Sequence, residues 1–168
     1  GAGKTTLIRL LIGLLVPSAG VAWVLGMDTR RPGAEFRVRA GVLLESDRLY
    51  DSLTAAENLD YYGRIRQMTP ADRSARSHEL LAALDLWDRR NETVGTWSRG
   101  MKQKLAIART LFHRPELVFM DEPTSGLDPA ASAHLHDQLL MLAAREGMTV
   151  FLTTHKLFEA ERLCAMVG

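Results

Sequence analysis

The sequence opens on GAGKTT, Gly1 to Thr6, and runs straight into apolar residues at helical spacing: Leu7, Ile8, Leu11, Ile12 and Leu15. No other feature restricts the fold as much. A glycine turn that feeds a helix aims backbone N–H groups and the positive end of the helix dipole at one point, which attracts an anion. GAGKTT is the back part of the phosphate-binding pattern G-x-x-x-x-G-K-[ST], so an N-terminal segment is expected before Gly1. In that pattern Lys4 reaches the outer phosphates and the Thr5 hydroxyl offers a hard oxygen to Mg²⁺. Taken alone, the hexamer also fits a plain glycine turn before an ordinary helix.

Pro17 and Gly20 close the first helical pattern. Three short runs, Val42 to Leu44, Leu117 to Met120 and Val150 to Leu152, are apolar on consecutive positions, as strands covered on both faces are. Pro129 to Glu146, with Leu135, Leu139 and Leu142 on one stripe, predicts a crossover helix and hence parallel strands on either side of it. The runs end in Glu45, in Asp121-Glu122 and in Thr153-Thr154-His155. The carboxyl edge of an open parallel sheet is where ligands bind, so this placement gathers polar chemistry beside the glycine turn. Between Leu53 and Leu84 the chain reads as helices broken at Thr54 and at Thr69-Pro70, with Leu80, Leu81, Leu84 and Leu86 facing the core. The expected organisation is one α/β domain, a mainly parallel sheet flanked by helices. Residues 1–45 and 113–168 would form its core, and 46–112 an inserted helical part. The helical pattern that reaches the last residues predicts that the chain continues beyond them.

Composition narrows the function. Hydrophobic residues make up 46% of 168 positions and charged ones 24%, enough for a real core. The net charge of +1 argues against a partner search driven by a strong basic field, as in many nucleic-acid binders. Charge is unevenly placed: residues 60–116 hold 11 basic and 7 acidic side chains, residues 117–168 hold 3 and 7. Cys164 is the only cysteine, so no intrachain disulfide forms and a reducing compartment is expected. The longest apolar stretch, Leu7 to Val16, contains Arg9 and Gly13 and is too short to span a bilayer. His134 and His136 lie two apart on a helix and point in different directions, which predicts solvated side chains. Trp23, Trp87 and Trp97 are expected to be packing or interface residues.

Three positions carry the chemistry. Asp121 ends a buried strand, where a charge is costly unless paired or metal-linked, so it suits a metal-bound water. Glu122 follows and is placed to orient or deprotonate an attacking water, a role worth about 10²- to 10⁴-fold. Ser98 is a good N-cap for the amphipathic run Met101 to Phe112, a second helix start able to hold an anion.

The ordered set GAGKTT, WSRGMKQK (Trp97 to Lys104), LVFMDEP (Leu117 to Pro123), SGLDP (Ser125 to Pro129) and TTH (Thr153 to His155) resembles the ATP-binding-cassette (ABC) ATPase of transporters, over essentially the whole chain. The resemblance implies a P-loop core, with Gly1, Ala2, Gly3, Lys4, Thr5 and Thr6 as the Walker A loop around ATP. Ser98 and Gly100 would be the signature. Asp121 would be the Walker B aspartate, Glu122 the catalytic glutamate and His155 the switch histidine at the γ-phosphate. Ser125, Gly126 and Asp128 look like the D-loop. Lys4, Glu122 and His155 would then be catalytic, with Thr5, Asp121 and Glu45 around Mg²⁺ and Asp128 also near nucleotide. The implied partners are a second cassette paired head to tail and transmembrane permease subunits, with no direct nucleic acid. The implied place is the cytoplasmic face of a membrane.

The variant signature, and LYDSLTAAENL (Leu49 to Leu59), look like those of exporters with separate membrane subunits. Glu45 stands where many relatives carry glutamine, Arg99 where glycine is common and Met101 where glutamine is common. Arg99 lacks glycine's access to positive φ, so a signature turn that needed it would lose the second phosphate site. Two rivals follow: a soluble cassette acting on ribosomes or DNA, and a degenerate cassette that binds ATP without turnover. Only 93 residues separate Lys4 from Ser98, which leaves no room for a long coiled coil.

Overall fold

The computed structural model describes residues 3–31, 33–44 and 49–155. In chain order these form α1 (Lys4–Leu11), β1 (Trp23–Val24), β2 (Met27–Asp28), α2 (Ala34–Arg39), β3 (Ala40–Leu43), α3 (Ala55–Ile65), α4 (Pro70–Ala83), α5 (Arg99–Leu111), β4 (Leu117–Asp121), α6 (Pro129–Glu146) and β5 (Thr149–Thr153). The three apolar runs pair as a parallel sheet in the order β3-β4-β5, with Leu43 opposite Met120 and Asp121 opposite Thr153. These three strands therefore end at the same edge.

Helix starts follow from capping chemistry. Thr54 accepts from the Glu57 N–H while the Glu57 carboxylate accepts from the Thr54 N–H, a reciprocal box that opens α3. Thr69 caps α4 and Asp128 caps α6, each followed by a proline whose missing N–H costs nothing there. Ser98 caps α5.

β4 organises the packing because its successive side chains point to opposite faces. Val118 and Met120 join Leu59, Leu80, Leu105, Leu111, Leu135 and Leu139 in one buried cluster under the helices. Phe119 points the other way and meets Ile8, Ile12, Val24 and Phe36. Each such side chain, fully buried, contributes about 1.5–3 kcal/mol. The second cluster is what seats α1, and with it the glycine turn, on the sheet.

Several expectations need correction. α1 ends at Leu11, and Gly13 takes φ 72°, so the helical pattern does not continue to Leu15; of its apolar residues Ile8 and Ile12 are buried and Leu7 and Leu15 exposed. β5, one of the two outer strands of the described sheet, has Thr149 and Phe151 exposed, so its two faces are not both covered. Of the two roles expected for Trp23, packing does not hold: it is 64% exposed on the β1–β2 hairpin, whose turn places Leu25 and Gly26 at positive φ. His136 is buried on the broad packed face of α6, whereas the His134 Nε2–H donates to the Asp85 carboxylate at 2.7 Å. Cys164 lies outside the described residues.

Candidate functional site

The tips of β4 and β5 hold the most polar junction on the sheet edge. Asp121 is only 3% exposed, yet it ends β4 directly opposite Thr153. The Thr153 hydroxyl donates to Asp121 Oδ1 at 2.5 Å, and its oxygen lies 3.3 Å from the Glu122 N–H, which also donates to the Thr153 carbonyl at 3.1 Å. One threonine thus fixes both consecutive carboxylate residues. Glu122 takes φ 52°, a left-handed conformation that costs an L-residue about 1–2 kcal/mol and persists only where surroundings enforce it. Its Oε2 meets His155 Nδ1 at 2.5 Å. The glutamate side chain is 24% exposed and the histidine 61%, so this pair faces outward while Asp121 stays in.

The glycine turn supplies a different kind of polarity. Gly3 caps α1 at φ 78°, where a side chain would be strained, and its carbonyl accepts from the Leu7 N–H at 2.8 Å. No side chain caps this helix, in contrast to α3, α4, α5 and α6, and no acidic residue sits in its first turn, in contrast to α3 and α4. Its leading N–H groups and dipole are left for an anion. Lys4 and Thr5 are half-buried beside them and Thr6 is exposed. Gly1, Ala2 and Glu45, all expected at this site, lie outside the described residues. For Mg²⁺ the remaining donors fit in kind: Thr5 and Asp121 offer hard oxygens only. Among the described residues no group of three or more His, Cys, Asp or Glu is placed to hold a metal ion.

The signature segment resolves one question. Arg99 is the first residue of α5 with right-handed backbone, so its place demands no positive φ and the feared loss of the turn does not arise. Ser98 Oγ accepts from the Met101 N–H at 3.3 Å, and the Asp128 carboxylate accepts from the Ala131 N–H at 2.9 Å. Both are engaged as helix caps and neither bonds to Asp121, Glu122 or His155. The sequence assigned no site role to Thr153 or Gln103. Thr153 was signalled by its place, since it and Asp121 both terminate apolar runs on neighbouring strands. Gln103 gave no signal; its Nε2 donates to the Pro123 carbonyl at 2.8 Å and ties α5 to the loop after Glu122.

Among the described residues no helix is long and apolar enough to cross a membrane. Residues 1–125 match the family described as ABC transporter. Over 168 residues, 99% of this chain and 68% of the relative, the chain is 41% identical to the ABC transporter ATP-binding protein NatA of Bacillus subtilis. It is 42% identical to a fluoroquinolones export ATP-binding protein of Mycobacterium tuberculosis, of which it spans only 54%. A solved ATP-binding subunit of an ABC transporter superposes with a TM-score of 0.80 at 32% identity, covering 97% of this chain and 68% of that one. The chain belongs to the ABC transporter ATP-binding family.

Proposed function

We propose that this chain binds ATP at the α1 turn and hydrolyses it to power transport, in the export direction, through transmembrane permease subunits. A second cassette would pair with it head to tail, at the cytoplasmic face of a membrane. The observation that carries the hydrolytic reading is the outward pair Glu122–His155, built on a left-handed residue and braced by Thr153 next to buried Asp121. Phosphoryl transfer is dominated by positioning and electrostatics. The α1 N–H groups and Lys4 take the phosphates, and Ser98 with Gly100 would take those held by the partner cassette. Glu122 receives a proton from the attacking water, and His155 holds the carboxylate in place. Thr5 and Asp121, joined by Glu45, are the residues that would hold Mg²⁺, which when bound neutralises phosphate charge. Asp128 is assigned to the loop facing the nucleotide of the pair.

The export direction rests on the likeness to the mycobacterial fluoroquinolones export protein. In the complete protein, Glu122→Gln keeps the shape of the site but removes the base. Steady-state ATP hydrolysis should fall by about 10²- to 10⁴-fold while ATP affinity is retained. Undiminished phosphate release would remove Glu122 from this role.

A further inference from the structure

Gly126 is the tightest point between the signature helix and the loop that follows Glu122. A Cβ built there would stand 2.2 Å from Arg99 Cζ and 2.3 Å from Nη1, so the guanidinium lies flat against the glycine α-carbon. Gly126 also takes φ 75°, a second reason for glycine at this place. The same loop touches α5 twice more: a Cβ on Gly100 would stand 3.3 Å from Leu127 Cδ2, and Gln103 donates to the Pro123 carbonyl at 2.8 Å. Segment 123–127 is therefore held by the first turns of α5 at three points. Its other end is Glu122. Arg99 is exposed and makes no hydrogen bond or ion pair among the described residues, so the contact that orders its planar head here is the packing on Gly126.

We propose that Arg99 is a positioning residue: its guanidinium, laid on Gly126, sets the loop that aims Glu122, and so links the signature turn to the hydrolytic carboxylate of the same chain. This rests on the ATP-hydrolysing reading above. The loop is stiffened by two local bonds, Ser125 N–H to the Glu122 carbonyl at 3.0 Å and Leu127 N–H to the Thr124 carbonyl at 3.1 Å. Removing the flat contact loosens that turn without touching the α1 nucleotide turn. The consequence is a loss in kcat with little change in KM, as a misplaced reacting group produces. What matters is the planar shape of the group rather than its charge.

The test uses the full-length protein with its transport partner. Arg99→Ala should lower kcat about 10-fold, with KM for ATP within about two-fold. Arg99→Gln, planar and neutral, should recover most of the loss, whereas Arg99→Lys, charged but not planar, should not. Amide exchange of the peptide spanning 122–128 should quicken in Arg99→Ala and return in Arg99→Gln. Wild-type kcat in Arg99→Ala overturns the proposal. So does a fully active Arg99→Lys beside an inactive Arg99→Gln, which would make the charge, not the contact, the working part. Unchanged exchange overturns it as well. The exchange readout does not depend on turnover, so an undiminished Glu122→Gln would sink the hydrolytic reading while leaving the contact separately decided.

Discussion

Two regions of this molecule carry charge into the protein, and they treat it in opposite ways. Around Arg76, 2% exposed, every arm of the guanidinium is used: Nε on the Phe112 carbonyl, Nη1 on Glu79 and Glu146, Nη2 on the Leu111 carbonyl and Glu146. The arginine thereby closes the last carbonyls of α5 and pins α4 to the end of α6. At the β4–β5 tips, buried Asp121 leans, among the described residues, on Thr153, Glu122 sits in a costly backbone region, and its partner His155 is mostly in solvent. The first arrangement is complete by itself. The second spends backbone strain on an outward carboxylate pair which, on the function proposed above, is a charge kept for chemistry rather than for structure.

The sharpest way to break the comparison is to open the complete cluster. Arg76→Met leaves Glu146, 6% exposed, without its bidentate partner, and breaking a buried pair from one side costs about 3–5 kcal/mol. Urea midpoints should fall accordingly while kcat per folded molecule stays at the wild-type value. A stable variant with impaired turnover would reverse the two roles.

Next in size is a pH effect from the same neighbourhood. His113 is pushed down to about 4, chiefly by burial and then by the positive charge of Arg66, against the pull of the Ala40 carbonyl. The unfolded chain then binds a proton that the folded one refuses between its ordinary value near 6.5 and about 4. Stability from this residue is complete above that window and drains as pH falls through it, by up to about 3 kcal/mol. Urea melts of the wild type at pH 7 and pH 4.5 should show the loss, and His113→Gln should flatten it. An equal slope in the variant would show that the acid sensitivity lies elsewhere.

The sequence made one kind of region more legible than the other. Helix starts are local chemistry, readable from a side chain and the N–H three residues on: Ser98 caps α5 as expected, the breaks read at Thr54 and Thr69 are the caps of α3 and α4, and the capping role of Asp128 was not anticipated. The parallel strands were legible because burial on both faces writes itself as a continuous apolar run, as in Val118 to Met120. Short elements were not: two-residue strands and a six-residue helix between Trp23 and Arg39 are too brief for any period to show. The pairing of Arg76 with Glu146, 70 residues away, belongs to tertiary packing, and no spacing rule contains it. Asp121, Glu122 and His155 were readable as strand-end residues. The left-handed turn at Glu122 was not, because it arises from the Thr153 contacts across the sheet rather than from residue type.

Thr153 gives the finest test, because it acts on the open site without a change of charge. Replacing it by valine removes the donor to Asp121 Oδ1 and one of two acceptors offered to the Glu122 N–H; the backbone carbonyl contact survives. A buried carboxylate stripped of one hydrogen bond costs about 1–3 kcal/mol, less than opening the Arg76 cluster. If the tips are built for chemistry, turnover should suffer beyond that modest loss, since both Asp121 and Glu122 lose a brace. Thr153→Ser, which keeps the hydroxyl, should restore hydrolysis along with stability. Urea melts and steady-state ATP hydrolysis on the same three proteins decide the matter. A valine variant that loses stability but keeps full turnover would place Thr153 with Arg76, as part of the scaffold rather than of the site.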